Sequence, residues 1–357
     1  MIKLAKQITD RPNPREYDAL ISTGENISAS LLAMAIQAQG HKAISLTGAQ
    51  AGIYTENTYS RAKIQHVDTT RIKKEMDEGN IVVVTGFQGV NDFYDTTTIG
   101  RGGSDTSAVV LAVALQAPEC EIFTDVDGVY TTDPRRIKAA RKIKEISYPE
   151  MLELASLGAK VLHPRSVEIA QENKIIIHVR SSFSDSEGTK VKEANQMEIA
   201  RPVTGVTVNE EQAIITIKGV SDEPGIAGRL FTELAKVNIN VDTIVQSNQE
   251  QGSNRITFSV NQDDFIQAKE MTENFGKTLS HFNGVETNTS IAKISIVGVG
   301  MISKPGIAAR MFSSLGQAGI NIQLISTSEI KISCVIDLEN ASRALELLHK
   351  EFGLDQI

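Results

Sequence analysis

One 22-residue stretch occurs twice in this chain. "EPGIAGRLFTELAKVNINVDTI" (223–244) returns as "KPGIAARMFSSLGQAGINIQLI" (304–325), an offset of 304 − 223 = 81 residues. A repeat of that length means one supersecondary unit used twice. Each copy follows a β-branched strand, Ala213–Val220 or Ile294–Gly298, and leads into two further strands. These are Val241–Ser247 with Arg255–Val260, and Ile322–Thr327 with Ile332–Ile336. Helices over Asp264–Lys277 and Ala341–Phe352 follow. The order is βαββα twice, the ferredoxin-like pattern. Gly284–Thr289 supplies a fourth strand to the first copy, but the second has almost no chain left for one. The expectation is that an outside segment, Pro202–Val208, completes the second sheet.

The first half reads differently. Residues 18–180 alternate apolar strands with helices: strand Ala19–Ser22, helix Asn26–Gln39 closed by Gly40, strands Ala43–Leu46 and Ile81–Thr85, partial helix within Tyr59–Gly79, strand Glu121–Thr124. Ser147–Tyr148–Pro149–Glu150 is a capping box ahead of helix Met151–Leu157. A helix over Arg165–Asn173 and a strand over Lys174–Arg180 complete the series. Continuously apolar strands between helices predict a largely parallel sheet covered on both faces. "SSFSDSEGT" (181–189) has no apolar period and reads as a loop. The expected domains are residues 1–190, a linker over 191–204, and two repeat units over 205–289 and 290–357.

Composition excludes several classes. The net charge of −8 leaves no concentrated basic face for nucleic acid. Two cysteines, Cys120 and Cys334, sit in apolar segments and read as buried thiols of a reducing compartment. The six histidines show no metal-ligand spacing, so no metal site is expected from the protein's own residues. No unbroken apolar run reaches membrane-spanning length, and the start lacks a signal peptide's apolar core. The expected setting is cytoplasmic, without a membrane partner.

"GRGGSDTSAVVLAVAL" (100–115) crowds a cation, two glycines and an anion at a helix start. Free amides and a positive dipole end favour an anion there, and Arg101 adds a bidentate charge. Gly102 and Gly103 permit close backbone approach. Asp105 conflicts with an anion alone, but a zwitterion such as an amino acid satisfies both charges. The same residues also suit an ordinary helix capped by Ser104 or Asp105. Glu25, after Ser22–Thr23–Gly24, reads either as a helix cap or as a partner for an ammonium group. "FTDVDGVYTTDPRR" (123–136) offers hydroxyls, an aromatic ring and arginine suited to a nucleotide, or an acidic-rimmed hairpin turn. Lys160 after Gly158 reads as a charge at a helix C-terminus.

Together "LISTGENIS", "SLTGAQAGI", "GRGGSDTSA", "TDVDGVYTTDPR", "GAKVLHPRSVEIA" and both "PGIA" turns resemble the aspartate kinases. That family has an amino-acid kinase fold, a three-layer αβα sandwich with a mostly parallel sheet, and two C-terminal ACT units of βαββαβ form. The resemblance implies phosphorylation of the L-aspartate side-chain carboxylate by ATP with Mg²⁺, at the entry to lysine, threonine and methionine synthesis. It implies that Glu25 and Arg101, Gly102, Gly103 and Ser104 contact aspartate, with Asp105 and Lys160 near the reacting groups. Thr124, Asp125, Tyr130, Thr131, Thr132, Asp133, Pro134, Arg135 and Lys160 are the implied ATP contacts. Lysine, threonine or both are the implied effectors. Their contacts would be Asp222, Gly225, Ala227, Asn240, Val241, Asp242 and Gln246 in the first ACT unit. In the second they would be Ile307, Ala308, Asn321, Ile322, Ser328 and Glu329. Such sites lie between ACT units of different chains, which implies a homodimer or higher oligomer. The alternative without a ligand is that the PGIA turns only pack helix on sheet.

One departure stands out. The family begins with a strand and a Lys-x-Gly-Gly-Thr-Ser loop that holds the ATP phosphates, and residues 1–19, "MIKLAKQITDRPNPREYDA", contain neither. The expectation is a kinase of N-terminally shortened form and much reduced activity. The competing class is a sensing regulatory chain that partners a complete kinase subunit. Glutamate kinase shares the fold but fits the paired ACT units and "TDVDGVYTTDPR" less well.

Overall fold

The computed structural model describes residues 1–158, 161–194, 201–248 and 253–356. The chain divides into two compact units, one of Met1–Val129 with Lys142–Gln196, the other of Tyr130–Arg141 with Met197–Ile357. Residues 130–141, which begin inside "TDVDGVYTTDPRR" (124–136) and run five residues past it, therefore group with the repeat half, which no single cut in the sequence produces.

In the N-terminal unit the elements run α1 (Ile2–Ile8), α2 (Pro14–Ala38), β1 (Ala43–Leu46), β2 (Ile53–Thr55), β3 (Ile64–Val67), α3 (Thr70–Asp77), β4 (Ile81–Val84), β5 (Gln88–Val90), β6 (Thr96–Thr98), α4 (Gly103–Ala114), β7 (Glu119–Thr124), β8 (Glu145–Ser147), α5 (Tyr148–Ser156), α6 (Pro164–Asn173), β9 (Ile176–Ser181) and β10 (Thr189–Lys192). Their sheets are β1-β4, β3-β2-β5-β6 and β7-β9-β10-β8. The pairs β1–β4, β7–β9, β8–β10 and β2–β5 are parallel, and the hairpin-like pairs β2–β3, β5–β6 and β9–β10 are antiparallel. The core between sheet and helix holds Leu46, Ala51, Ile53 and Ile72. The capping box forms as the sequence demands: Ser147 accepts the Glu150 amide and Glu150 reaches back to the Ser147 amide.

The largest local difference from the sequence reading is α2. Residues 19–22 are not a strand, and the helix does not begin at Asn26. Asn13 accepts the Arg15 amide, Pro14 occupies the first turn, and one helix of 25 residues runs through Gly24. The hydroxyls of Ser22 and Thr23 fold back onto the carbonyls of Ala19 and Leu20, so they do not interrupt it. By length and composition alone α2 is also long and apolar enough to cross a bilayer. Its polar tethers hold it to the unit instead. The buried Asp18 carboxylate accepts four hydrogen bonds, from the amides and hydroxyls of Ser60 and Thr98 at 2.7–3.0 Å. The Gln88 side chain also donates to the Ser22 carbonyl and the Asn26 side chain.

The C-terminal unit contains β11 (Gly205–Asn209), β12 (Gln212–Ser221), α7 (Ile226–Lys236), β13 (Val241–Asn248), β14 (Ser253–Asn261), α8 (Phe265–Gly276), β15 (Val285–Asn288), β16 (Ile291–Val297), α9 (Ile307–Gln317), β17 (Leu324–Thr327), β18 (Lys331–Asp337) and α10 (Ala341–Glu351). The antiparallel sheets are β13-β14-β12-β15 and β11-β16-β18-β17. The second sheet thus takes its fourth strand from β11, which pairs Gly205–Asn209 with Val297–Lys293, as the chain-length argument required. Helices α7 and α9 bury the same stripe, Ile226, Leu230, Leu234 and Ile307, Met311, Leu315. Each such side chain contributes about 1.5–3 kcal/mol over its exposed state. The two sheets meet through Ile214, Ile291 and Val335.

Within this unit residues 130–141 have a defined seat. The Thr131 carbonyl accepts the Val206 amide, extending toward β11. The buried Thr131 hydroxyl accepts the Arg141 amide and meets Nε2 of His349 at 2.9 Å. Burial pulls the His349 pKa down from its ordinary value. Arg136 pairs with Glu210 at 2.5 Å and reaches Ser342, while Arg141 donates to the Asp355 carbonyl.

Candidate active site

The site grows from the start of α4. Gly102 is its N-cap in the left-handed conformation, φ +67°, and no side chain caps the helix. Ser104 and Asp105 therefore lie inside the first turn, and neither is the N-cap that the plain-helix alternative required. Gly100, at φ +87°, turns the chain so that its carbonyl accepts the Gly103 amide. The amides of Ser104 and Asp105 have no hydrogen-bond partner among the described residues, which leaves two donors at the positive end of a helix. Arg101 is exposed and pairs with no described carboxylate.

Neighbouring elements close around this mouth. A Cβ on Gly102 would stand 2.1 Å from the His163 ring, and one on Gly103 2.8 Å from Phe87. His163 is the N-cap of α6, and its backbone amide donates to the Asp105 carboxylate at 3.3 Å. Burial raises the Asp105 carboxyl above its ordinary value, against the smaller opposing pull of that amide. Arg165, the second residue of α6, donates to the carbonyls of Ala62 and Ile99 and holds the chain leading into the glycine loop. Ser107 donates to the Gly103 carbonyl and accepts the Phe87 amide, tying the turn after β4 to α4.

A cavity of about 580 Å³ opens beside this mouth, lined by Glu25 of α2, Gly86, and Ser104, Ser107 and Ala108 of α4. The rest of its lining is largely apolar, including Val82, Val84, Leu111 and Leu115. The structure thus brings Glu25 to the same cavity as Ser104, from the middle of a long helix. Neither the cap nor the loop position read from the sequence applies to it. Thr124 and Asp125 follow at the carboxyl end of β7, where the Thr124 hydroxyl donates to Asp125, and neither lines that cavity. Tyr130, Thr131, Thr132, Asp133, Pro134 and Arg135 belong to the C-terminal unit. There Thr131 and Thr132 are buried, and Arg135 makes a bidentate pair with Asp133. Lys160 lies outside the described residues. Sequence reasoning missed Asp18 and Arg165, because both act through partners 42 to 103 residues away.

In the ACT sheets the implied effector residues fall at opposite ends. Asp222, which accepts the Asn254 side chain, and Gly225 follow the end of β12. That end pairs with the start of β14, beside Gln246 in β13. Asn240, Val241 and Asp242 lie at the other end, where Val241 pairs with Val260 and Asp242 meets the buried Lys293 ammonium. In the second copy Ser328 and Glu329 share the end of the loop entering α9 at Ile307 and Ala308, since the Gly298 amide bonds the Ile330 carbonyl. Asn321 and Ile322 precede β17 at the opposite end.

Residues 1–181 match the amino acid kinase family, and residues 215–274 and 294–352 match the ACT domain. An aspartokinase of Geobacillus stearothermophilus is 48% identical over 354 residues, covering 99% of this chain and 86% of the relative. The chain belongs to the aspartokinase family. Aspartokinase 2 of Bacillus subtilis is 46% identical over 356 residues, 100% of this chain and 87% of the relative. Among solved structures, E. coli aspartokinase III in complex with aspartate and ADP superposes with a TM-score of 0.81 at 27% identity, over 98% of this chain and 78% of that one. Its complex with lysine and aspartate gives 0.75 at 28% identity, over 96% and 77%. As an aspartokinase the chain is a phosphotransferase that acts on aspartate, with ACT units attached. A purely regulatory chain is not favoured, because both the kinase half and the ACT half are matched.

Proposed function

We propose that this chain transfers the γ-phosphoryl group of ATP, with Mg²⁺, to the side-chain carboxylate of L-aspartate, and that the α4 mouth grips the amino acid. The observation that carries the reading is that Ser104, whose amide has no hydrogen-bond partner among the described residues, lines one cavity with Glu25, while Arg101 and Asp105 flank it in the same loop and first turn without lining that cavity. A helix start with open amides and a carboxylate on one cavity suit a zwitterion. Arg101 and the amides take the α-carboxylate, and Glu25 takes the ammonium group. Asp105, less acidic than usual, stands near the acceptor. Thr124 and Asp125 offer a hydroxyl and a carboxylate suited to a nucleotide's ribose, and Lys160 supplies charge to the phosphates. Mg²⁺, when bound with ATP, neutralises developing phosphate charge; the protein's share is alignment and fixed dipoles. The Thr131 hydroxyl is engaged inside the C-terminal unit.

The ACT units serve as a sensor for lysine, threonine or both, which supports a place in the synthesis of lysine, threonine and methionine in the cytoplasm. The E. coli relative solved with lysine supports the effector class. The split of effector residues between sheet ends supports sites shared by two chains, hence a homodimer or larger assembly.

Replacing Arg101 tests the core of this reading. Arg101→Ala should lower kcat/KM for aspartate roughly 100-fold, from losing a charge-assisted bidentate contact. The KM for ATP should stay within about threefold. Unchanged aspartate kinetics would sink the assignment.

A further inference from the structure

Away from that mouth, one face of the β7-β9-β10 sheet gathers three potential ligands. Register puts Glu121 of β7 and Lys190 of β10 on either side of His178 in β9. Glu119 and Arg180 lie two residues away on those strands and share the face, since side chains alternate along a strand. His178 is only 8% exposed, and its Nδ1 is a buried nitrogen without a hydrogen-bond partner. The other ring nitrogen, Nε2, lies 2.6 Å from the Glu187 carbonyl, an acceptor only, so Nε2 carries the hydrogen. Nδ1 then presents its lone pair toward the Oε1 atoms of Glu119 and Glu121, at 3.8 and 3.6 Å. One ligand atom from each of the three residues lies within 4.8 Å of the others.

We propose that Glu119, Glu121 and His178 bind a divalent transition metal of the zinc class. Two carboxylates and one imidazole match the donor preference of such ions, and a backbone carbonyl orienting the far ring nitrogen is the usual outer contact of a metal-bound histidine. Ligand atoms around such an ion sit about 3.0–3.5 Å apart, so the carboxylate arms need to close by only a few tenths of an ångström to a little over one. The cations already present do not decide the matter. Lys190, with a side chain 40% exposed, pairs with Glu119 at 3.1 Å. A pair of that kind holds about 0–1 kcal/mol, far less than a chelated ion gains. Arg180 holds Glu121 at 2.7 Å and lies over the Phe123 ring, so a bound ion shares the Glu121 carboxylate with this guanidinium. Bound metal would clamp β7 to β9 just ahead of Thr124, the residue that ends β7.

The test is calorimetric titration of Zn²⁺ into the full chain in a non-chelating buffer, with Mg²⁺ as the competitor and thermal melting as a second readout. The expected result is one Zn²⁺ per chain, undisturbed by millimolar Mg²⁺, with a metal-dependent rise in Tm. Both His178→Gln and the half-exposed Glu121→Gln should weaken binding at least tenfold and abolish that rise. Equal Zn²⁺ affinity in Glu121→Gln and the parent would overturn the proposal, as would no binding at micromolar Zn²⁺. If His178→Gln fails to fold, Glu121→Gln alone decides, because its carboxylate stands at the rim of the cluster.

Discussion

Helix α4 in the kinase unit and helices α7 and α9 in the ACT units begin alike but sit in different surroundings. All three have a left-handed glycine as N-cap, Gly102, Gly225 and Gly306, at φ +67°, +88° and +93°, with no side-chain cap. At Gly225 and Gly306 an added Cβ meets nothing within 4 Å, whereas at Gly102 it strikes the His163 ring. The α4 first turn also holds an acidic residue, Asp105, and the other two hold none. The backbone device is therefore the same, and the three mouths differ in what is packed around them. The kinase mouth is walled in by a second helix start, which fixes its backbone geometry. At the two ACT mouths nothing among the described residues crowds the capping glycine.

The sharpest way to break this comparison is Gly102→Ala. The left-handed backbone and the ring clash together should cost about 2–4 kcal/mol, with aspartate kinase activity falling at least tenfold. Denaturant unfolding and a coupled ADP assay measure both. Near-parent activity would show that the walled mouth has no bearing on the reaction.

Gly225→Ala and Gly306→Ala should each cost only about 1–2 kcal/mol, the backbone penalty alone, and should differ from one another by less than about 0.5 kcal/mol. Activity without effector should stay within twofold of the parent. A loss at either site matching that of Gly102→Ala would mean that these mouths are packed against something too.

The smallest effect separates the mouths by charge. Burial raises the Asp105 pKa in the folded state above its unfolded value. The carboxyl then favours folding while protonated, below its ordinary range, and opposes it once pH rises through the folded value. Asp105→Asn should thus stabilise the protein modestly at pH 7, with the gain shrinking toward pH 4, while activity is lost. A stability gain independent of pH would mean that burial of the charge is not the cause.

How much was legible follows from the range of each signal. The Ser147–Glu150 cap, the helix stripes of the repeats and the need for a borrowed β11 all rest on residues close in sequence or on a count of available chain. The α4 mouth was legible for the same reason, because glycine, arginine and aspartate types at one helix start limit what can bind there. Helix α2 was misread because Ser22, Thr23 and Gly24 carry loop propensity, and hydroxyls folded back on the preceding turn leave no mark in the sequence. The Asp18 anchor, the orphaned His178 nitrogen and the seat of Thr131 against His349 depend on partners 42 to 218 residues away, counting β7, which lies 57 residues from His178.

The amino-acid sequence by itself therefore determined which helices open on free amides, which strands repeat, and that the family is an aspartokinase, since caps, periodicity and motif order act over a few residues. Tertiary structure alone decided that Glu25 reaches the cavity from mid-helix and that residues 130–141 fold with the ACT half. The same holds for which glycine is hemmed in. Each of these depends on packing between distant segments, where burial and hydrogen bonding override local propensity.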